Sequence, residues 1–305
     1  PGQGLQQVSV KILGKTAGNA GLLVWSVWLW FHAGFLLRSG ADRFIGTIFP
    51  DSDPWIFVGV MAVLVLIAGL GSVKTLARSA ELFRPLLAVV LTGVLLLTLP
   101  DLHPEFILPV MPADTWPCVK GSGMVTDTMC VVLLLAGFLS GYERSDTPFL
   151  RSMVKFLAVA CLLAAAMCAV VMGVCGKTLT ARLSYPFFSV VRDLTVFHTV
   201  QRFEALVVGL WVLPDFVLVA MELLIAADNL MVLCVGEKPH DMTWRDGNRY
   251  IWLGTAAAVA TAVFIARTAG ELALWAFTLV PIINLFLCFV YPAVLLAVGK
   301  ARKMI

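Results

Sequence analysis

Long apolar runs, separated by short polar or proline-containing stretches, repeat along the whole chain. A helix that crosses a hydrocarbon core of about 30 Å needs about 20 residues at 1.5 Å per residue. The runs predict eight membrane-spanning helices, with approximate bounds 17–37, 55–73, 84–99, 122–142, 154–176, 203–228, 250–266 and 272–298. This pattern predicts an all-α, polytopic membrane helix bundle rather than a soluble domain with a single anchor.

The segments between these runs are more polar, and several carry a prediction of their own. Residues 1–16 predict a surface loop with a short amphipathic helix, and residues 74–84 predict a charged bend ahead of the third span. The prolines in 100–121 disfavour a regular helix and predict an extended surface loop. Residues 177–202 are too short and too charged to cross a membrane, so they predict a short surface helix.

Composition and charge support the membrane class and bear on orientation. Hydrophobic residues make up 60% of the 305 positions and charged residues 13%, against about 25% charged residues in soluble domains. The net charge of +3 on such a chain reflects topology, so we expect no nucleic-acid partner. With a cytoplasmic N-terminus, most of the 22 Lys and Arg residues fall on the cytoplasmic side, which predicts that both termini face the cytoplasm.

The acidic residues Glu204, Asp215 and Glu222 lie within the sixth span. At 100° per residue they share one helix face with Trp211. A charge at the bilayer centre costs about 2.5 to 3.5 kcal/mol on insertion scales, so this face should point into the bundle. One interpretation is a path for a substrate or a cation. The other is a polar packing seam, with Asp215 and Glu222 hydrogen-bonded to neighbouring helices and Glu204 paired with Arg202.

The start of the fourth span is rich in glycine and small polar residues, from Gly121 to Thr128. Transporters expose backbone groups to substrate at such helix breaks, so Gly123, Thr126 and Asp127 are candidate ligand-binding residues. The alternative is an ordinary helix N-terminus, with Thr126 or Ser122 as the N-cap and Asp127 in the first turn.

The other polar groups favour structural interpretations. His32 lies in an otherwise charge-free run, which favours a neutral, packed histidine over a proton relay. Glu81 with Arg78 and Arg84 is interpreted as a solvated or paired cytoplasmic bend. The sequence has no P-loop, nucleophile elbow, H-E-x-x-H pair or dinucleotide fingerprint, and its seven cysteines form no C-x-x-C pair. We therefore expect no enzymatic activity, no cofactor and no metal site.

Several motifs, in order along most of the chain, are similar to one family of membrane proteins. They are PGQ (1–3), ILGK (12–15), LARSAELFRP (76–85), LPDL (99–102), LPV (108–110), YPFFSVVR (185–192), QRFEAL (201–206) and GLWV (209–212). This set resembles the spore germination permeases. These are the membrane B-subunits of nutrient germinant receptors and are related to the amino acid-polyamine-organocation transporters.

The resemblance implies a leucine-transporter-like fold of ten spans in two inverted repeats. Against that pattern the chain begins after the second span, so the first two spans are expected to be missing. Residues 1–121 would then be a partial first repeat with family spans three to five, and residues 122–305 a complete second repeat with spans six to ten. All 305 residues would form a single transmembrane domain.

The resemblance also implies a function and a set of site residues. It implies a germinant-receptor subunit in the spore inner membrane that senses a small nutrient such as an amino acid, with a cation as a possible second ligand, and that signals to partner subunits. The alternatives are a secondary amino acid transporter and an inactive scaffold. The expected ligand-binding residues are Trp30, Gly123, Thr126, Asp127, Asp215 and Glu222. The expected structural or coupling residues are Glu81, Arg192, Arg202 and Glu204.

Overall fold

A computed structural model of the protein describes residues 4–108, 111–140, 149–194, 203–235 and 248–303. Every regular element within these ranges is helical. The helices are α1 (Leu5–Leu13), α2 (Lys15–Thr47), α3 (Pro54–Gly69), α4 (Val73–Leu97), α5 (Thr115–Leu139), α6 (Phe149–Thr180), α7 (Pro186–Asp193), α8 (Phe203–Val235), α9 (Asn248–Phe264), α10 (Ala269–Leu274), α11 (Val280–Leu285) and α12 (Tyr291–Ala301).

Helix length and hydropathy confirm the all-α membrane bundle. Six described helices or helical runs are long and apolar enough to cross a membrane: Lys15–Thr47, Val73–Asp101, Pro112–Leu139, Leu150–Thr180, Glu204–Cys234 and Ala269–Ala301. The two other predicted spans form the apolar helices α3 and α9, with 16 and 17 residues. At 1.5 Å per residue these two helices are about 24 to 26 Å long.

Two predicted boundaries differ from the structure. Residues 74–84 form the first turns of α4 rather than a bend, because the Ser72 hydroxyl caps the helix by accepting from the Thr75 amide. The stretch after Leu97 contains three single 3₁₀ turns, each with a proline among its first two residues. Helix α5 then starts at Thr115, so the loop predicted for 100–121 ends earlier than expected.

Helices α2 and α8 form the centre of the bundle. In their most apolar stretches 56% and 61% of the residues are buried, against 17% in α4 and α6. His32 on α2 pairs with Glu222 on α8, and Arg43 on α2 pairs with Asp215 on α8. Since the chain numbers run in opposite directions in these two pairs, α2 and α8 are antiparallel.

Helix α9 packs closely against α2 through two glycines. A Cβ atom on Gly34 of α2 would lie 2.4 Å from the carbonyl oxygen of Ala258 on α9. A Cβ atom on Gly254 of α9 would lie 2.6 Å from the Trp30 indole nitrogen on α2. The absence of side chains at both positions therefore allows the two backbones to approach, as small residues do between membrane helices.

The last membrane-length run is interrupted twice by a π turn. Trp275–Leu279 separates α10 from α11, and Phe286–Val290 separates α11 from α12. Helix α11 lies between the two π turns and carries Asn284, which is 1% exposed. Single π turns within α-helices are often found at functional sites, because they change the direction of the side chains that follow.

Candidate functional site

A buried acid–base pair joins the middle of α2 to the middle of α8. The His32 Nδ1 atom lies 2.7 Å from the Glu222 Oε1 atom. His32 is 5% exposed and Glu222 is 0% exposed. A buried ionisable pair is costly to desolvate, and removal of one partner leaves an uncompensated polar group. The pair is therefore the best candidate for a functional centre among the described residues.

Asn284 and Trp28 extend the pair into a hydrogen-bonded network. The Trp28 Nε1–H group donates to Asn284 Oδ1 at 2.8 Å, and Asn284 Nδ2 lies 3.5 Å from His32 Nε2. Because Asn284 Oδ1 accepts from the indole, its NH₂ group faces the ring nitrogen of His32. This assigns a neutral imidazole that accepts at Nε2 and donates from Nδ1 to the Glu222 carboxylate.

Asp127 on α5 adds a second acid to the network. Its carboxylate hydrogen-bonds with the Asn284 side chain and is within electrostatic range of His32. Asp127 Oδ1 and Glu222 Oε2 are buried and have no hydrogen-bond partner among the described residues. The polar cluster of Trp28, His32, Asp127, Glu222 and Asn284 thus holds two acceptor atoms that a donor could satisfy.

The space beside the polar cluster is small. A cavity of about 10 Å³ is lined by His32, Glu222 and Asn284 on one side and by apolar and aromatic residues on the other, Trp25, Val131 and Phe138 among them. A single water molecule needs at least about 10 to 15 Å³ of such space. In this conformation the cavity therefore accepts one water molecule at most.

A second pair joins the same two helices, seven residues earlier on α8. The Arg43 guanidinium donates to the Asp215 carboxylate, and both side chains are about 20% exposed, at 21% and 20%. Next to Arg43, Asp42 accepts a hydrogen bond from the Tyr185 hydroxyl at 2.9 Å. Burial, together with the neighbouring Asp42 carboxylate, raises the pKa of Tyr185. Asp215 and Glu222 thus both meet α2, as their shared helix face predicts.

Glu204, which the sequence places on the same face of α8, is not brought into the polar cluster. Its Oε2 atom is buried and has no hydrogen-bond partner among the described residues. Arg202, its predicted partner, lies outside the described residues, so that pairing stays a prediction. Glu81 and Arg192 are exposed, and the Arg192 Nε atom lies 3.9 Å from the Asp193 carboxylate.

Gly123 and Thr126 lie within a continuous helix. α5 starts at Thr115, so both a helix break and a helix N-terminus at this stretch are wrong for the described structure. The Ser122 hydroxyl donates to the Val119 carbonyl, and the Thr126 hydroxyl donates to the Ser122 carbonyl. Such bonds satisfy hydroxyls inside a helix, which is why small polar residues need not interrupt it. A ligand-binding role of Gly123 and Thr126 stays a prediction.

Trp30 points to another side of α2 than His32. Two residues along a helix turn the side chain by about 200°. The Trp30 indole nitrogen is buried against Gly254 of α9 and has no hydrogen-bond partner among the described residues. Of the six predicted ligand-binding residues, the structure places Asp127 and Glu222 in the polar cluster. Trp30 instead contacts Gly254 on α9, and Asp215 contacts Arg43 on α2.

Sequence reasoning missed three residues of these networks, Trp28, Arg43 and Asn284. It interpreted His32 as a packed histidine, and the structure shows it packed against Glu222, 190 positions away. Asn284 left a signal in the sequence, because it is a lone amide in an apolar run between Pro281 and Pro292. The pairing partners left none, since they are distant in sequence.

Comparison with known proteins gives one result. No curated protein and no solved structure matches the chain. Residues 1–233 match the model of the spore permease family, which is described as spore germination protein. That range contains both acid–base pairs and Asp127, and it covers more than half of the chain. The chain therefore belongs to the spore germination permease family.

Proposed function

We propose that this germination-related permease is the membrane subunit of a nutrient germinant receptor, and that the polar cluster is where it senses a small nutrient. The observation that carries the proposal is the convergence of polar side chains from α2, α5, α8 and α11 on one buried point. Such groups are expensive inside a membrane and mark ligand or ion sites.

The chemistry of the polar cluster favours a ligand with an ammonium group. The Glu222 Oε2 and Asp127 Oδ1 atoms are acceptors without a partner among the described residues. An ammonium has three donors and a positive charge, so it matches both atoms. An amino acid carries such a group, which makes it the nutrient class that we propose.

The size of the cavity couples binding to a change of shape. Since about 10 Å³ accepts no more than a water molecule, an amino acid enters only when α2, α5, α8 and α11 separate. A ligand that binds the separated state shifts the population towards it. We propose that this shift is the signal that partner subunits detect in the spore inner membrane, with both termini of the chain in the cytoplasm.

Germination assays test this proposal. Spores that carry Glu222→Gln or Asp127→Asn should need at least about tenfold more amino acid for half-maximal germination, because about 1.4 kcal/mol of binding free energy corresponds to tenfold in affinity. Asp193→Asn is the matched control, because the side chain of Asp193 is 79% exposed on α7. Unchanged dose–response curves for both cluster variants would contradict the proposal.

Transport is the second candidate function, because the family is one of permeases. Uptake of a labelled amino acid into vesicles separates the two. Accumulation that Glu222→Gln abolishes would favour a transporter. Binding without accumulation, together with impaired germination of the variant, supports a receptor.

A further inference from the structure

We propose that the His32–Glu222 pair is a proton-binding site, and that its occupancy controls how firmly α2 and α8 are held together. The first part stands on the geometry of the pair. The second part, the control of helix separation, rests on the proposed function, because that separation is what would admit the nutrient.

The hydrogen bonds of the pair leave room for one more proton. A neutral imidazole that donates from Nδ1 leaves Glu222 as a carboxylate whose second oxygen, Oε2, is buried without a partner among the described residues. A buried acceptor without a donor is costly, and a buried negative charge without a full counter-charge is costlier. Addition of one proton to the pair removes the uncompensated negative charge.

Two atoms can take this proton, and Asn284 decides between them. In the observed arrangement the Asn284 NH₂ group faces His32 Nε2, so a second N–H at that position would oppose another donor. The proton then goes to Glu222 Oε2, the carboxylate oxygen that has no partner among the described residues. When Asn284 moves away, Nε2 is free to accept the proton, and the pair becomes an imidazolium facing a carboxylate.

The site is too small for other ions or nutrients in this conformation. Its cavity of about 10 Å³ is at the lower limit for one water molecule. Divalent metal ions such as calcium need six to eight oxygen ligands. Within the described ranges no group of three or more His, Cys, Asp or Glu residues could hold a metal ion. A proton, delivered with or without a water molecule, is the ion that fits.

The other ionisable groups around the pair are few. Besides Glu222, Asp127 on α5 is an acid within electrostatic range of His32, and the thiols of Cys130 on α5 and Cys288 near α12 contact each other. Helix α3 has no ionisable residue. The other ionisable residues on the neighbouring elements are Lys15, Arg38, Asp42 and Arg43 on α2, Cys118 and Lys120 on α5, Glu204, Asp215, Asp228 and Cys234 on α8, Arg249 and Tyr250 at the start of α9, and Tyr291 and Lys300 on α12.

Two of these groups, Asp215 and Tyr250, already interact with an arginine. Asp215 is paired with Arg43, about 10 Å along α8 from Glu222 at 1.5 Å per residue. The Tyr250 hydroxyl accepts from Arg249 and is near Cys234, which lies 12 residues beyond Glu222, or about 18 Å along the helix. Asp127 lies within electrostatic range of His32, so its charge changes the proton affinity of the pair.

Helix α11, which carries Asn284, adjoins the site and is bounded by π turns on both sides. Conversion of a π turn into an α turn would rotate the residues between the two turns and so change the position of the Asn284 amide relative to His32. Protonation and the position of α11 are thus linked through one hydrogen-bond donor.

Infrared spectroscopy of the purified full chain in nanodiscs tests the proposal, with the proton as the probe. A pH titration should show a carboxylic acid C=O band from the wild type that Glu222→Gln lacks. His32→Gln should retain the band but move its midpoint by about one pH unit, a tenfold change in proton affinity. The exposed-site variant Asp193→Asn should titrate like the wild type.

A second variant guards against misfolding. The double variant His32→Gln/Glu222→Gln can form an amide–amide hydrogen bond without any ionisable group. It should fold, and its spectrum should show no carboxylic acid band that titrates. A band that is unchanged in Glu222→Gln and in the double variant would overturn the proposal. Because the readout needs no nutrient, a normal titration combined with unaffected germination would reject the proposed function and leave the proton site standing.

Discussion

At the scale of single residues, two basic residues of α2 each pair with one acidic residue of α8. His32 meets Glu222 in the fully buried part of the interface, and Arg43 meets Asp215 where both side chains are about a fifth exposed. Each acid lies in an otherwise apolar run, so the pairing explains how α8 is accommodated within the bundle. The pairs also differ in character, since arginine stays charged at all accessible pH values while histidine does not.

The Arg43–Asp215 pair should show strong thermodynamic coupling. Arg43→Gln leaves a partly buried carboxylate without its counter-charge and Asp215→Asn leaves a partly buried guanidinium without one, so each single variant should lower the free energy of unfolding. The double variant should lose less than the sum, with a coupling energy of about 1 to 3 kcal/mol. Thermal unfolding in detergent micelles measures it. Additive losses would show that the two side chains do not interact.

Tyr185 should make stability fall at high pH. Burial and the Asp42 carboxylate raise the pKa of Tyr185 in the folded chain, while an unfolded tyrosine ionises near pH 10. Below that pH the phenol is neutral in both states, and the full stabilisation is present. Above about pH 10 the unfolded state loses its proton first, so stability is lost as the pH rises towards the folded pKa.

The check is a comparison with Tyr185→Phe, which has no phenol to ionise. Unfolding free energies from pH 8 to pH 11 should fall more steeply for the wild type than for the variant, roughly following the linkage relation. Parallel curves would show that Tyr185 ionises as readily in the folded chain as in the unfolded one.

At the scale of elements, α2 makes closest contact with its neighbours on two sides. On the α8 side the contacts are ionisable pairs, and on the α9 side they are glycines at the backbone. Membrane helices gain little from the hydrophobic effect between one another, so close packing and polar contacts hold them together. The two sides of α2 therefore use the two available means of helix association.

Gly34→Ala should loosen the α2–α9 contact. The added methyl would lie 2.4 Å from a backbone oxygen of α9, which cannot move without shifting the helix. A loss of about 1 to 3 kcal/mol in stability is expected, as for other overpacked sites. Gly59→Ala on α3 is the matched control, because its methyl would have no atom within 4 Å. Equal melting temperatures for both variants would contradict a close α2–α9 contact.

At the scale of the whole molecule, burial decreases from the centre outwards. α2 and α8 are the most buried membrane-length helices, and α4 and α6 are mostly exposed. In a membrane protein this exposed apolar surface faces lipid or another subunit. The central pair carries the acid–base contacts, so a change at the polar cluster acts on the helices that most others pack against.

Orientation in the membrane is open to a labelling test. With a cytoplasmic N-terminus, the loop before α3 lies outside and the start of α4 lies inside. Ser52→Cys, in the first loop, should react with a membrane-impermeant maleimide in intact cells. Arg78→Cys, on α4, should react only after permeabilisation. Both variants are made in a background without the native cysteines, and the reverse labelling pattern would show the opposite orientation.

Much of the architecture could be predicted from the sequence, because it depends on local composition. The eight apolar runs became helices since each is long enough to favour the helical state in lipid, and Ser72 showed how a single cap shifts a boundary. The glycine-rich stretch before Asp127 was interpreted wrongly, because hydroxyl bonds within the helix satisfy Ser122 and Thr126 and no break is needed.

The sequence by itself determined that the chain spans a membrane as a helix bundle, that Glu204, Asp215 and Glu222 share one face of α8, and which family the motifs indicate. Only the tertiary structure decided that His32 faces Glu222, that Arg43 faces Asp215, and that Asn284 closes the polar cluster. The physical reason is that hydrophobicity and helical periodicity act over a few neighbouring residues. A hydrogen bond between residues 190 or more positions apart exists only once the helices have packed.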